Sequence, residues 1–127
     1  MLLAEDVKSN SNHPYLYARV LKVFHINVIY TGGGRLDYRP RRLDVLWVRW
    51  FRYTGSTAVC WGDHQLDLIH FPPMGSEKAF DFIDPKDVLR ACYIAPAFAK
   101  GKAHPDGIGL SRCANDAQEW CGYYVNR

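Results

Sequence analysis

The chain has 127 residues, 48% of them hydrophobic and 23% charged, with a formal net charge of +3. That length fits one domain with a core of its own and argues against a second domain or a dependence on disulfide or metal staples. So weak a positive balance excludes a strongly basic nucleic-acid wrapper and leaves phosphate contact to local clusters of charge.

Residues 1–12 read as a polar lead, expected to be mobile, ahead of a single β-rich domain over 13–127. Glu5 and Asp6 speak against a secretory leader, and no apolar run approaches the roughly 18 residues of a membrane span, so a soluble intracellular protein is expected. "YLYARVLKVFHINVIY" (15–30) is rich in β-branched and aromatic residues, as one long or bent strand requires. Period two would turn Leu16, Ala18, Val20, Phe24, Ile26 and Val28 inward. "TGGGR" breaks the strand, because glycine readily adopts positive φ. The loop is expected to continue through "LDYRPRR", with Pro40 delaying a restart.

"LDVLWVRWF" (43–51) is the second long strand. Alternation puts Val45, Trp47, Arg49 and Phe51 on one face and Leu46, Val48, Trp50 and Arg52 on the other. Each face thus carries a large aromatic and an arginine. The second tryptophan either packs under another layer or is offered to a partner. "RYTGSTAVCWGDHQ" reads as a loop holding a short strand around Val59 to Trp61, and "LDLIHF" (66–71) as a strand closed by Pro72 and Pro73. Asp84, Pro85 and Asp87 form a helix start, but "ACYIAPAF" reverts to strand at once and Pro96 limits its length. A glycine-rich loop then leads to a last strand in "EWCGYYVNR". The expected class is mainly β: a small, SH3-like, partly open barrel with one short helix and long loops. Val20, Phe24, Val48 and Ile94 are its expected core.

Three constellations carry possible chemistry. Tyr15, Tyr17, Trp47, Trp50, Phe51, Tyr53 and Trp61 could form a cage or stacking platform, with Asp44 or Asp63 as a carboxylate, or could simply fill the core. Trp47, Trp50, Tyr53 and Trp61 are the candidates for an exposed aromatic surface. Arg35, Arg39, Arg41 and Arg42 around Tyr38 would suit phosphate contact by guanidinium forks with one base stacked, or form a solvated basic loop. The same charge would attract an acidic protein. Cys60, Cys92, Cys113 and Cys121 sit far apart without a CxxC pair, so reduced thiols are expected, and Cys60 with His64 gives zinc only one doubtful ligand pair. His25 with Asp67 or His70 could be assembled on paper as an acid–base group, but no motif on a shaped turn supports catalysis. Neither a cofactor nor an enzymatic activity is expected.

"HPYLYARVLKVFHINV", "RRLDVLWVRWF", "FPPM", "AFDFIDPKDVLRACYIAPAFAKG", "HPDGIGLSR" and "YYVNR", in this order, cover nearly everything after His13. They resemble a segment found toward the C-terminal end of long basidiomycete fungal proteins associated with transposons of the Plavaka and related types. Members of that family continue past the equivalent of "YVNR", where this sequence stops. No residue here corresponds to a transposase acidic triad. More distantly, "YARVLKVF", "VLWVRWF" and "PKDVLRACYI" are similar in order to a bromo-adjacent homology domain. That likeness implies an SH3-like barrel serving chromatin or protein interaction. Together the resemblances imply a non-catalytic nuclear module that binds DNA or a histone peptide. The alternative is a structural protein–protein domain through which a larger transposase assembles.

Overall fold

The computed structural model describes residues 2–3, 13–34, 37–58 and 65–126. In chain order its strands are β1 (Leu2–Leu3), β2 (Tyr15–Leu16), β3 (Ala18–Tyr30), β4 (Asp37–Trp50), β5 (Arg52–Ala58), β6 (Gln65–His70), β7 (Phe80–Ile83), β8 (Tyr93–Pro96) and β9 (Tyr123–Asn126). Two antiparallel sheets, ordered β3-β4-β7 and β5-β6-β9-β8, make up the body, and neither closes into a barrel. The mainly β class agrees with the sequence. So does the single turn of 3-10 helix at Pro85–Asp87, capped by Asp84 Oδ1 accepting from the Lys86 N–H at 2.9 Å. Two further 3-10 turns lie at Phe98–Lys100 and Asp116–Gln118. Of the expected N-terminal lead, only Leu2–Leu3 falls among the described residues, where it pairs with Tyr15–Leu16.

The β3–β4 ribbon departs from its simple alternation at one residue. Val20 lies opposite Val48, but Lys22 lies opposite Trp47, so Leu21 is an extra residue in β3. Residues directly opposite share a face, and an inserted residue exchanges the faces of everything beyond it. Ala18 and Val20 therefore share a face with Val48 and Trp50, whereas Phe24, Ile26 and Val28 share the other with Val45, Leu43 and Arg41. The single inward set expected from period two is split by this bulge. Val20 and Ile26 are 50% and 45% exposed, and Phe24, Val28 and Ile94 are half-buried, leaving Val48 as the one expected core residue that is fully enclosed.

Two expected loops are strands instead. Residues 37–42 belong to β4, with Pro40 opposite a second register shift between Val28 and Tyr30, where a missing N–H costs no ladder bond. Gly33 and Gly34, at φ 68° and 72°, make the turn that lets β4 begin so early. Arg52–Ala58 forms β5 against β6, with its own register shift between Tyr53 and Gly55. The short strand expected around Val59–Trp61 lies outside the described residues.

The core sits where the two sheets meet. Tyr17, Phe51, Ile69, Tyr123 and Val125 are buried together, and Ile94, Cys92, Phe71 and Trp120 pack against them. Phe51 and Phe71 stack at 4.0 Å, and Tyr123 meets both edge-on. Two guanidinium groups lie over Phe71, Arg19 at 4.6 Å and Arg49 at 4.2 Å. Arg49 is 3% exposed and pairs with the equally buried Glu119. Burial pulls the Arg49 guanidinium below its ordinary pKa. This ion pair ties the C-terminal segment to β4 across the face that also carries Trp47.

The long loop before β9 is organised by one carboxylate. Asp116 accepts from the N–H groups of Leu110 at 2.6 Å and Ser111 at 2.9 Å, and faces His104 Nε2 at 3.5 Å. Burial pushes its carboxyl up, but the two N–H donors, with His104, leave it below the ordinary carboxylate value. Gly109 sits so close that a Cβ there would come within 2.3 Å of Asp116 Oδ1.

Candidate aromatic recognition site

Period two along β6 turns Asp67 and Ile69 to the inside, each almost fully buried. A carboxylate in that position needs partners. Tyr17 supplies its hydroxyl to Asp67 Oδ2, and His13 Nε2 lies 3.0 Å from the same oxygen. His13 Nδ1 meets the Tyr15 backbone, 2.9 Å from its carbonyl oxygen and 3.2 Å from its N–H. The His13 ring is thereby fixed, and it stacks on Tyr53 at 4.1 Å with the planes 26° apart.

This locked group forms one wall of a groove of about 920 Å³. Tyr15, Tyr17, Trp50, Phe51, Tyr53 and Phe80 supply its aromatic lining. Trp50 is aimed here because its backbone N–H is held by the Ala79 carbonyl at 2.9 Å, and Phe51 N–H by the Tyr17 carbonyl at 2.8 Å. The polar lining holds the carboxylates of Glu77 and Asp81, the cations of Arg52 and Lys78, and Ser76. Ser76 Oγ is buried with no hydrogen-bond partner among the described residues. An orphaned hydroxyl in a binding groove invites a ligand group.

The four aromatic candidates therefore separate. Trp50 and Tyr53 line the groove, joined by Tyr15, Tyr17 and Phe51. Trp47 does not: it lies on the opposite face of β4, stacked with Phe80 at 5.9 Å. Trp61 and Asp63 lie outside the described residues. Asp44, the other expected cage carboxylate, is instead bound to His25 at 2.6 Å and to Arg42 Nε at 3.0 Å. Those two contacts, His25 foremost, hold its carboxyl below the ordinary value. Two contributors escaped sequence reasoning, His13 and Phe80. Both come from segments distant from the "WVRWF" run, and His13 carried no signal beyond its place before a strand.

The basic candidates are not gathered in a loop. Arg39, Arg41 and Arg42 are exposed on β4, where neighbouring residues alternate between faces, and Arg42 reaches Asp44 and the His25 ring. Arg35 and the side chain of Tyr38 lie outside the described residues. The paper acid–base group does not form: His25 meets Asp44, Asp67 meets Tyr17 and His13, and His70 Nδ1 meets Thr54 at 2.7 Å. Burial, with Arg52 and Lys100, lowers the His70 pKa and favours the neutral ring. Among the described residues no cluster of ligating side chains could hold a metal, and Cys92, Cys113 and Cys121 form no disulfide. Cys60 and His64 lie outside them. Comparison with protein-family models, curated proteins and solved structures gives no match to this chain. No helix among the described residues is long and apolar enough to cross a membrane.

Proposed function

We propose that this chain is a non-catalytic interaction module that takes a methylated-lysine side chain of a chromatin peptide into the groove between Trp50 and Tyr53. The observation that carries this reading is the groove's lining: Trp50, Tyr53 and Tyr15 are its partly exposed aromatic residues, backed by the buried Tyr17 and Phe51, with the carboxylates of Glu77 and Asp81 among its charged residues. Aromatic faces attract a quaternary ammonium through their quadrupoles, and desolvation in a concave site strengthens that attraction. The histidine–aspartate–tyrosine network beneath holds Tyr53 in place before a ligand arrives. The resemblance to Plavaka-type proteins and to bromo-adjacent homology domains supports a nuclear setting in a transposon-derived protein.

The test is an NMR titration with unmodified and trimethyllysine histone-tail peptides, duplex DNA and single-stranded DNA. Resonances of Trp50, Tyr53 and Tyr15 should shift with the methylated peptide alone, and Trp50→Ala should abolish the response. Equal binding of the unmodified peptide, or shifts only with DNA, sinks the proposal. The second reading, an assembly domain of a larger transposase, is favoured by the apolar face of the β3-β4-β7 sheet, where Ile26, Leu43 and Phe82 are 45–62% exposed.

A further inference from the structure

We propose a second binding site, in which an extended acidic peptide adds to the free edge of β3. It rests on residues separate from the aromatic groove. Strand order leaves β3 at the edge of one sheet and β8 at the edge of the other. Both edges line a second groove, of about 580 Å³, with Arg19, Val20 and Leu21 on one side and Ile94 and Pro96 on the other. Trp120 and Tyr123 also line it, together with Asn115, whose φ of 53° is the one positive value at a described non-glycine residue.

An edge strand carries alternate N–H and C=O groups that its single neighbour cannot satisfy. On the side of β3 away from β4, no backbone hydrogen bond to another described segment exists. β8 is the poorer template, because Pro96 has no N–H to give. The available stretch of β3 is short. The extra residue Leu21 and the exposed Lys22 blunt the edge beyond Val20, confining a regular pairing to Ala18–Val20, about 10 Å of strand. The gap thus has room and backbone chemistry for one extended segment, in the mode of strand addition to a sheet edge.

Charge selects the occupant. Among the described residues, Arg19 is the only ionised side chain lining this groove. Its guanidinium rests on Phe71, Phe51 and Tyr123, and it has no carboxylate within ion-pair distance among the described residues. The neighbouring carboxylates are engaged: Glu119 with Arg49, and Asp116 with Leu110, Ser111 and His104. Arg19 and Arg49 repel each other, since Arg19 contributes to lowering the Arg49 pKa. A ligand carboxylate placed on Arg19 would relieve that repulsion and add a forked, charge-assisted hydrogen bond. The ligand class is therefore an extended segment that alternates apolar and acidic residues.

The probe is an alternating valine–aspartate hexapeptide added to the full chain, followed by amide shifts and amide hydrogen exchange. Ala18–Val20 should shift and gain protection while Tyr15 and Tyr53 stay unmoved, which separates this site from the aromatic groove. Arg19→Gln should weaken binding about tenfold, the loss of one charge-assisted bond. Arg19→Lys, which keeps the charge and the aliphatic stem, should retain most of it. A valine–lysine peptide and a backbone N-methylated valine–aspartate peptide should both fail. Binding of either control, no response at β3, or protection of β3 that depends on protein concentration without peptide overturns the proposal. The last outcome would mean that a second copy of the chain takes the edge.

Discussion

The inner and outer halves of the β3–β4 ribbon are made of similar residues and end in opposite situations. Near its base Val48 and Arg49 are buried on opposite faces, whereas beyond the Leu21 bulge Val23, Ile26 and Leu43 are each about half exposed. Both halves alternate, both are rich in β-branched residues, and one backbone ladder runs through them. The difference is what lies against them. The base has β7 beside it, Glu119 and Phe71 against Arg49, and the aromatic groove beyond Trp50. The outer half has β7 only as far as Leu46. Strand pattern makes a surface apolar; only a second layer makes it a core.

The base of the ribbon is where substitution should cost most. Glu119→Ala leaves the Arg49 guanidinium buried without a counter-charge and should cost about 3–5 kcal/mol, close to the whole stability of a small domain. Urea denaturation reads it directly, and a loss under 1 kcal/mol would mean that Arg49 finds water. Ile69→Ala, at a fully buried position in the same core, should cost about 2–5 kcal/mol by the same measurement.

Between these extremes lies the loop before β9. Asp116→Asn removes the charge from two backbone hydrogen bonds and should cost about 1–3 kcal/mol. Its pH dependence has a definite sign. The native carboxyl is held below its ordinary value of 3.8, so its contribution is complete above that value and is lost as pH falls through the lower native one. Acid titration of the melting temperature should fall less steeply below about pH 4 in the variant than in the parent. An identical slope would remove Asp116 from this role.

The outer ribbon should answer weakly. Ile26→Ser with Leu43→Ser should change stability by less than about 1 kcal/mol, because neither side chain leaves a filled core. A loss like that of Ile69→Ala would show the face to be covered in solution, and sedimentation would then reveal by what. Smallest of all, Arg41→Ala with Arg42→Ala should move stability by no more than about 0.5 kcal/mol, since exposed charges contribute little. Measured against salt with duplex DNA, the same pair tests phosphate contact: a slope unchanged from the parent would place nucleic acid elsewhere or nowhere on this strand.

The β class, the turn at "TGGG", the short helix at Pro85, the strand expected at 66–71 (observed at Gln65–His70) and the strands within "ACYIAPAF" and "EWCGYYVNR" were legible in the sequence, since each follows from local φ preferences and period-two patterning. The sequence by itself also determined that Trp50 and Tyr53 were candidates for a surface. It could not place Val20 and Phe24 on opposite faces, because a bulge is settled by which residues pair across the ribbon, and no residue type at Leu21 announces it. Nor could it choose between Trp47 and Trp50, which are equal in composition and neighbourhood. Only the packing of β7 and the His13 segment against β4 gave one tryptophan a groove and stacked the other on Phe80. Likewise, Asp67 on β6 and His13 before β2 become partners through a contact 54 positions apart in the chain, and a contact of that range has no trace in local pattern.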